Sequence, residues 1–492
     1  MTGLRAYRWW APWAMLPALL ACPAAWGAHN GAVHEDPVAP VILGVTGILF
    51  FAVLGRFGAR KLGQPSVLGE LIMGVILGNV AYLYGVDIIL VLREGTAVFE
   101  MVQQVLAGRT LEAAALATLD GDAAQRLLAI FQGPHGSQML AVAQTVDIFS
   151  RYGVIFLLFL VGLETSVQEM RKVGGDSIRV AIVGVALPFV LGFGAARLLM
   201  PELSISVDLF VAATLGATSV GITARVLQDL GRSQSRESHI ILGAAVMDDI
   251  LGLVMLAIVS GIIVSGGVAL GNVVSIIALA LLFLVSALVL GPYFLDFTIN
   301  LVRRLDLIEA KMFISFLFVM VLAWLANLVG LATIVGAFTA GLILHDAYFK
   351  HWGRADEHQF SIKDLIMPLE VILVPIFFVL MGIQVKLESF FDWHVVTMAG
   401  GLLVAAVIGK IASGLVTGRG VNKFAVGIGM MPRGEVGLIF ASIGKSLGVI
   451  SDALFSAVVL MVIVTTLATP PLLKLALVRQ KRDEEVQARE RG

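Results

Sequence analysis

Two adjacent carboxylates, Asp248 and Asp249, interrupt the otherwise apolar run ILGAAVMDDILGLVMLAIVSG, Ile241 to Gly261. An aspartate at the centre of a membrane-spanning helix costs about 2.5 to 3.5 kcal/mol on insertion scales, and such residues mark ion or proton pathways. Asp248 follows His239 by nine residues, which at ~1.5 Å per residue places it ~13 Å along a helix. Its short side chain cannot reach the surface from there. Consecutive helical residues point ~100° apart, so one aspartate can meet a protein partner while the other faces a cavity. A protonated pair serving only helix packing is the structural alternative.

Three further stretches bear polar groups at membrane depth. LGATSVGITARVLQDLG, Leu215 to Gly231, gathers Thr218, Ser219, Gly221 and Thr223. Small residues there could simply let helices approach closely, or an interrupted helix could offer hydroxyls and freed carbonyls as oxygen ligands to a cation. GIGMMPRGEVGLIF, Gly427 to Phe440, sets Pro432, Arg433 and Glu435 among glycines. Proline lacks a backbone donor and loosens the helix, yet a simple kink does not require two charges. VIGKIASG holds Lys410, which could snorkel to the interface or act as counter-charge to one aspartate, offsetting the cost of burying both.

The elements that must carry these residues follow from composition. The 492 residues are 58% hydrophobic and 14% charged, with a mean hydropathy of +0.94, far more apolar than one soluble core needs; this is a polytopic membrane protein. A net charge of -1 without a basic stripe or zinc-ligand cluster argues against a nucleic-acid partner. The single cysteine, Cys22, excludes an internal disulfide. Residues 1 to about 28, with Arg5 and Arg8, an apolar region and Ala25-Trp26-Gly27, read as a signal peptide, a retained helix being the alternative.

At about 20 apolar residues per span, some thirteen spans are predicted: 41 to 60, 66 to 86, 145 to 166, 179 to 200, 206 to 228, 239 to 264, 270 to 297, 311 to 329, 331 to 348, 366 to 385, 395 to 417, 424 to 446 and 452 to 478. The boundary near Val329-Gly330 is the least sharply marked. Basic residues follow every odd span before the last: Arg56, Arg60 and Lys61; Arg171 and Lys172; Arg232 and Arg236; Arg303 and Arg304; Lys350, Arg354 and Lys363; Arg419 and Lys423. That asymmetry puts the N-terminus outside and the C-terminus in the cytoplasm. Breaks in spans five and twelve occupy corresponding places in two inverted repeats, with the site between them near the midplane. Residues 93 to 144 form an external insertion of one or two amphipathic helices, and 479 to 492 a solvated cytoplasmic tail.

QPSVLGELIMGVILG (Gln64 to Gly78), LLFLVGLET (Leu157 to Thr165), ATSVGITARVLQ (Ala217 to Gln228), GAAVMDDILGL (Gly243 to Leu253), VGLATIVGAFTAGLIL (Val329 to Leu344), PIFFVLMGIQV (Pro375 to Val385), GKIASG (Gly409 to Gly414) and GMMPRGEVGLI (Gly429 to Ile439) together, in this order, resemble the bacterial sodium/proton antiporters of the cation/proton antiporter-2 group. The resemblance covers nearly all of 41 to 478. It implies an all-α membrane fold of inverted repeats with two crossed broken helices. It also implies core helices (179 to 264 and 395 to 478), dimerisation helices (41 to 166 and 311 to 385), a linker helix (270 to 297) and a homodimer in the bacterial inner membrane. Asp249 would then be the main cation and proton carboxylate and Asp248 the partner of Lys410. Thr218 and Ser219 would sit at the first crossing, and Arg433 and Glu435 at the second. The paired aspartates resemble the electrogenic branch rather than the potassium-efflux branch. Asn79 departs from the proline usual after Gly78, and the 93 to 144 insertion is long.

The expected activity is electrogenic exchange of a cytoplasmic monovalent cation, sodium first, for external protons. Asp249, Asp248, Thr218 and Ser219 are the candidate sodium ligands. No cofactor and no covalent step is needed. Potassium/proton exchange, or a pH-gated sensor or channel on the same scaffold, is the competing expectation, because ligand oxygens alone do not identify the ion.

Overall fold

The computed structural model describes residues 36, 38–119, 121–164, 174–219, 223, 227, 232, 235–264, 270–302, 306–349, 360–433 and 435–491. The expected signal peptide and the basic loop residues Arg171, Lys172, Arg303, Arg304, Lys350 and Arg354 lie outside them. Among the described residues every regular element is helical. Long runs of leucine, isoleucine, valine and alanine satisfy each backbone donor and acceptor within the helix, the one open-ended solution available in hydrocarbon.

Among the described residues ten helices are long and apolar enough to cross a membrane, and the other three expected spans are the short or interrupted ones. By internal packing the chain divides into two compact units, Met1–Gly153 with Ile372–Lys386, and Val154–Val371 with Leu387–Gly492.

The first unit opens with α1 (Ala39–Lys61) and α2 (Ser66–Leu83). They approach at glycines, where a Cβ on Gly69 would collide with the Gly55 carbonyl and one on Gly55 with that of Gly69. Close backbone contact of this kind replaces the hydrophobic drive that lipid removes. Four short helices follow, α3 (Asp87–Arg93), α4 (Gly95–Leu106), α5 (Leu111–Thr118) and α6 (Gly121–Gln132). Within 93 to 144 the expected one or two amphipathic helices are thus three, α4 to α6, before the next long helix begins. α7 (Gly136–Glu164) also begins nine residues before the predicted third span.

The departure at Asn79 has a physical role. Its amide donates to the carbonyls of Val75 (2.8 Å) and Val385 (2.9 Å) and accepts from Arg93 (3.1 Å). A proline there would offer none of these contacts. Arg93 is buried, so the asparagine helps solvate a guanidinium that would otherwise be costly to enclose.

The second unit contains α8 (Gly175–Leu199), α9 (Ile205–Thr214), α10 (Arg236–Val264), α11 (Leu270–Leu301), α12 (Leu307–Leu328) and α13 (Thr333–Ile343). α14 (Ile362–Ile383) begins in this unit and ends in the first. α15 (Trp393–Ser413), α16 (Lys423–Gly429), α17 (Glu435–Ser446) and α18 (Asp452–Arg491) complete the chain. The doubtful boundary between spans eight and nine falls at Val329–Ala332, where Gly330 has φ +80°, a conformation glycine adopts without Cβ strain. The helical form of α18 continues through residues 479 to 491, where a simple tail was expected.

α8 and α15 run antiparallel. A Cβ on Gly184 would meet Lys410 and Ser413, one on Gly409 would meet Pro188, and one on Gly401 would meet Leu199. α9 and α17 are antiparallel as well, Phe210 lying by Gly444 and the Thr214 carbonyl by Gly437. Each series of long, interrupted and long helix therefore lies inverted against the other, which brings the two interruptions to the same depth.

Candidate ion-binding site

The first interruption begins where α9 stops at Thr214, and residues 217–219 are non-helical. The second separates α16 from α17, with Met431, Pro432 and Arg433 non-helical. α16 starts under an N-cap, the Asn422 side chain accepting from the Ala425 amide at 3.0 Å. Pro432 then denies the helix a donor, so two half-helices form and their terminal backbone groups need outside partners.

Those partners are found across the crossing. The Ser219 amide donates to the Pro432 carbonyl (2.9 Å). Thr218 Oγ1 donates to the Met430 carbonyl (3.3 Å) and Thr223 Oγ1 to the Gly429 carbonyl (2.6 Å). Arg433 donates a short hydrogen bond to the Ala217 carbonyl. Thr218, Ser219, Thr223 and Arg433 are all buried. Ala217 lies three residues past the end of α9, so the guanidinium meets a carbonyl that the first break has freed. Glu435 is the first residue of α17, the end that favours an acid; its side chain lies outside what the structure describes.

Asp248 sits twelve residues into the 29-residue α10, close to its middle. Lys410 Nζ lies 2.9 Å from Asp248 Oδ1, and both side chains are 0% exposed. α15 ends only three residues after Lys410, at Ser413, nearer than the span prediction placed it. Even so the ammonium does not snorkel to the surface. Gly184 of α8 packs beside it, a Cβ there standing 3.5 Å from Nζ, at ordinary van der Waals contact. Asp249, one step around α10, is partly exposed. The two carboxylates thus occupy the two different surroundings that helix geometry requires: one locked in a desolvated ion pair, the other accessible. Asp248 Oδ2 has no hydrogen-bond partner among the described residues.

Such a pair is costly to assemble, because desolvating both charges consumes much of their attraction. Lys410 interacts electrostatically with both aspartates, so any change of charge at Asp249 alters the field on the pair.

Two threonines that the sequence reading did not single out hold the second break. Thr466 Oγ1 donates to the Arg433 carbonyl at 2.5 Å, and Thr465 Oγ1 accepts from the Arg433 amide at 3.3 Å. Their spacing from Arg433 bears no local signal, because α18 reaches the break only through tertiary packing. Thr466→Val leaves a buried carbonyl without its donor, at a cost of about 1 to 3 kcal/mol. A lowered melting temperature in detergent, restored by Thr466→Ser, is the expected result.

Two crossed, interrupted helices flanked by a buried ion pair and an accessible carboxylate define an ion-coupled membrane carrier. The chain belongs to the sodium/hydrogen exchanger family: the family model described as sodium/hydrogen exchanger, transmembrane, matches residues 123–478. It is 34% identical over 478 residues to the high-affinity Na(+)/H(+) antiporter NhaS3 of Synechocystis, covering 94% of this chain and 96% of that one. It is 30% identical over 422 residues to the Na(+)/H(+)-K(+) antiporter GerN of Bacillus cereus, covering 84% and 90%. The sodium proton antiporter MjNhaP1 of Methanocaldococcus jannaschii shares the fold, with a TM-score of 0.56 at 17% identity, covering 89% of this chain and 99% of that chain.

Proposed function

We propose that the protein exchanges cytoplasmic sodium for external protons electrogenically, by alternating access at the crossing. The observation that carries this reading is the buried Lys410–Asp248 pair beside the accessible Asp249. Protons and sodium compete for Asp249, with Asp248 and the hydroxyls of Thr218 and Ser219 as further oxygen ligands. When sodium displaces a proton from Asp249, and Asp248 releases its hold on Lys410 so that the ammonium gives up a second proton, or Asp248 itself releases one, two protons can move per cation. Net charge then crosses with each cycle.

The core helices, 179 to 264 and 395 to 478, carry the ion past the helices of 41 to 166 and 311 to 385, with 270 to 297 as the link. That grouping concerns motion and is separate from the division by packing. The protein acts as a homodimer in the bacterial inner membrane, N-terminus outside, as the basic residues following the odd spans favour. Potassium is the second candidate ion. It is favoured by the likeness to GerN, and by 28% identity over 344 residues to the K(+)/H(+) antiporter subunit KhtU of Bacillus subtilis.

Purified protein in proteoliposomes with a preset pH gradient tests this. Added sodium is expected to collapse the gradient, and a voltage clamp by potassium and valinomycin to change the rate. A gradient that responds to potassium but not sodium reassigns the ion. Conductance without coupled proton movement defeats the antiporter reading altogether.

A further inference from the structure

A groove of about 480 Å³ opens in the first unit where α2 ends, walled by Tyr82, Val86, Leu90 and Ile130, with Asp87 and Arg126 among its lining residues. α2 is a spanning helix that stops at Leu83, so this groove lies at the level where hydrocarbon gives way to headgroups. Leu83 and Tyr84 beside it are 82% and 84% exposed. An apolar and aromatic fringe of that kind is characteristic of the membrane interface.

The charges are arranged unusually. Arg126 and Asp87 are both exposed and line the same groove, yet among the described residues they form no ion pair with one another. The Arg126 guanidinium stands 5.6 Å from the centre of the Tyr82 ring, and the buried Arg93 stands 4.2 Å from that same ring. Arg93 is engaged by Asn79, whereas the exposed Arg126 is itself a lining residue of the groove and offers its guanidinium to a bound anion. Asp87, in the first turn of α3, supplies a negative charge to the same lining. A ligand complementary to both has a phosphate and an ammonium on one short headgroup, and acyl chains to lie along the apolar fringe. The volume suits a headgroup and its glycerol, within the range of ordinary ligand pockets.

We propose that this groove binds an aminophospholipid, its phosphate on Arg126 and its ammonium on Asp87, so that the α3–α6 insertion serves as a lipid-anchored cap. The groove shares no residue with the transport site.

Native mass spectrometry of the full chain tests it, after exchange into phosphatidylethanolamine, phosphatidylglycerol or phosphatidylcholine. The wild type is expected to retain phosphatidylethanolamine in preference to the other two. Arg126→Gln should weaken that retention by about tenfold, the effect of losing one charge-assisted contact. Asp87→Asn should weaken phosphatidylethanolamine but not phosphatidylglycerol. Both side chains are exposed, so equal melting temperatures in lipid-free detergent will show that the variants are folded. Equal retention of all three lipids, or an Arg126→Gln variant that binds like the wild type, overturns the proposal. So does preference for phosphatidylglycerol that ignores Asp87, which would indicate a merely anionic site. Displacement by millimolar inorganic phosphate without effect of the acyl chains would likewise replace lipid with free phosphate.

Discussion

Asp249→Asn is expected to reduce sodium-driven collapse of a pH gradient by at least ~100-fold, equivalent to ~2.7 kcal/mol or more of barrier. Asparagine keeps the size of the side chain but can neither carry the proton nor supply the full negative charge that a dehydrated cation needs. Because Asp249 is partly exposed, the protein should still fold. Sodium binding then gives a second readout, since a ligand that binds only the folded state raises the melting temperature in proportion to the logarithm of its concentration over Kd. Wild-type protein should show that sodium-dependent rise and Asp249→Asn should not. Exchange at the wild-type rate in the variant would place the carrying group elsewhere.

The second large effect concerns Lys410. Both members of the pair with Asp248 are 0% exposed, so Lys410→Met leaves a carboxylate enclosed without its counter-ion. Losing one partner of a buried pair costs about 3 to 5 kcal/mol, which should appear as a marked fall in melting temperature. Adding Asp248→Asn removes the stranded charge and should recover most of the loss. A single variant as stable as the wild type would mean that the two groups are not energetically coupled. For transport, the milder Lys410→Gln should retain some exchange and lose its response to membrane potential, because one of the groups whose charge changes during the cycle is gone. An unchanged voltage response would separate the pair from the coupling step.

Asp248 and Asp249 were legible from the chain because two charges in an apolar run stand out against the cost of placing them there. The two breaks were legible because Pro432 and the surrounding glycines are incompatible with an uninterrupted helix, and because Thr218, Ser219 and Thr223 cluster at the other break. The insertion was less legible. Helices of 7 to 12 residues, such as α3 to α6, present too few turns for an apolar period to show their number. Thr465 and Thr466 were silent for another reason. A threonine in a spanning helix ordinarily bonds its own helix, as Thr465 also does to the Met461 carbonyl at 2.9 Å, and only the approach of α18 to the second break turns it outward.

By itself, the sequence determined that this is a helical membrane protein, where its spans lie, and that two carboxylates stand within an apolar run, since each of these follows from local transfer cost and backbone satisfaction. Only the tertiary structure decided which charge meets which. Lys410 and Asp248 are 162 residues apart, and their contact depends on α8, α10 and α15 packing together and on two interrupted helices crossing at one depth. Proximity of that kind arises from the inverted packing of whole helices, for which no residue carries a local signal.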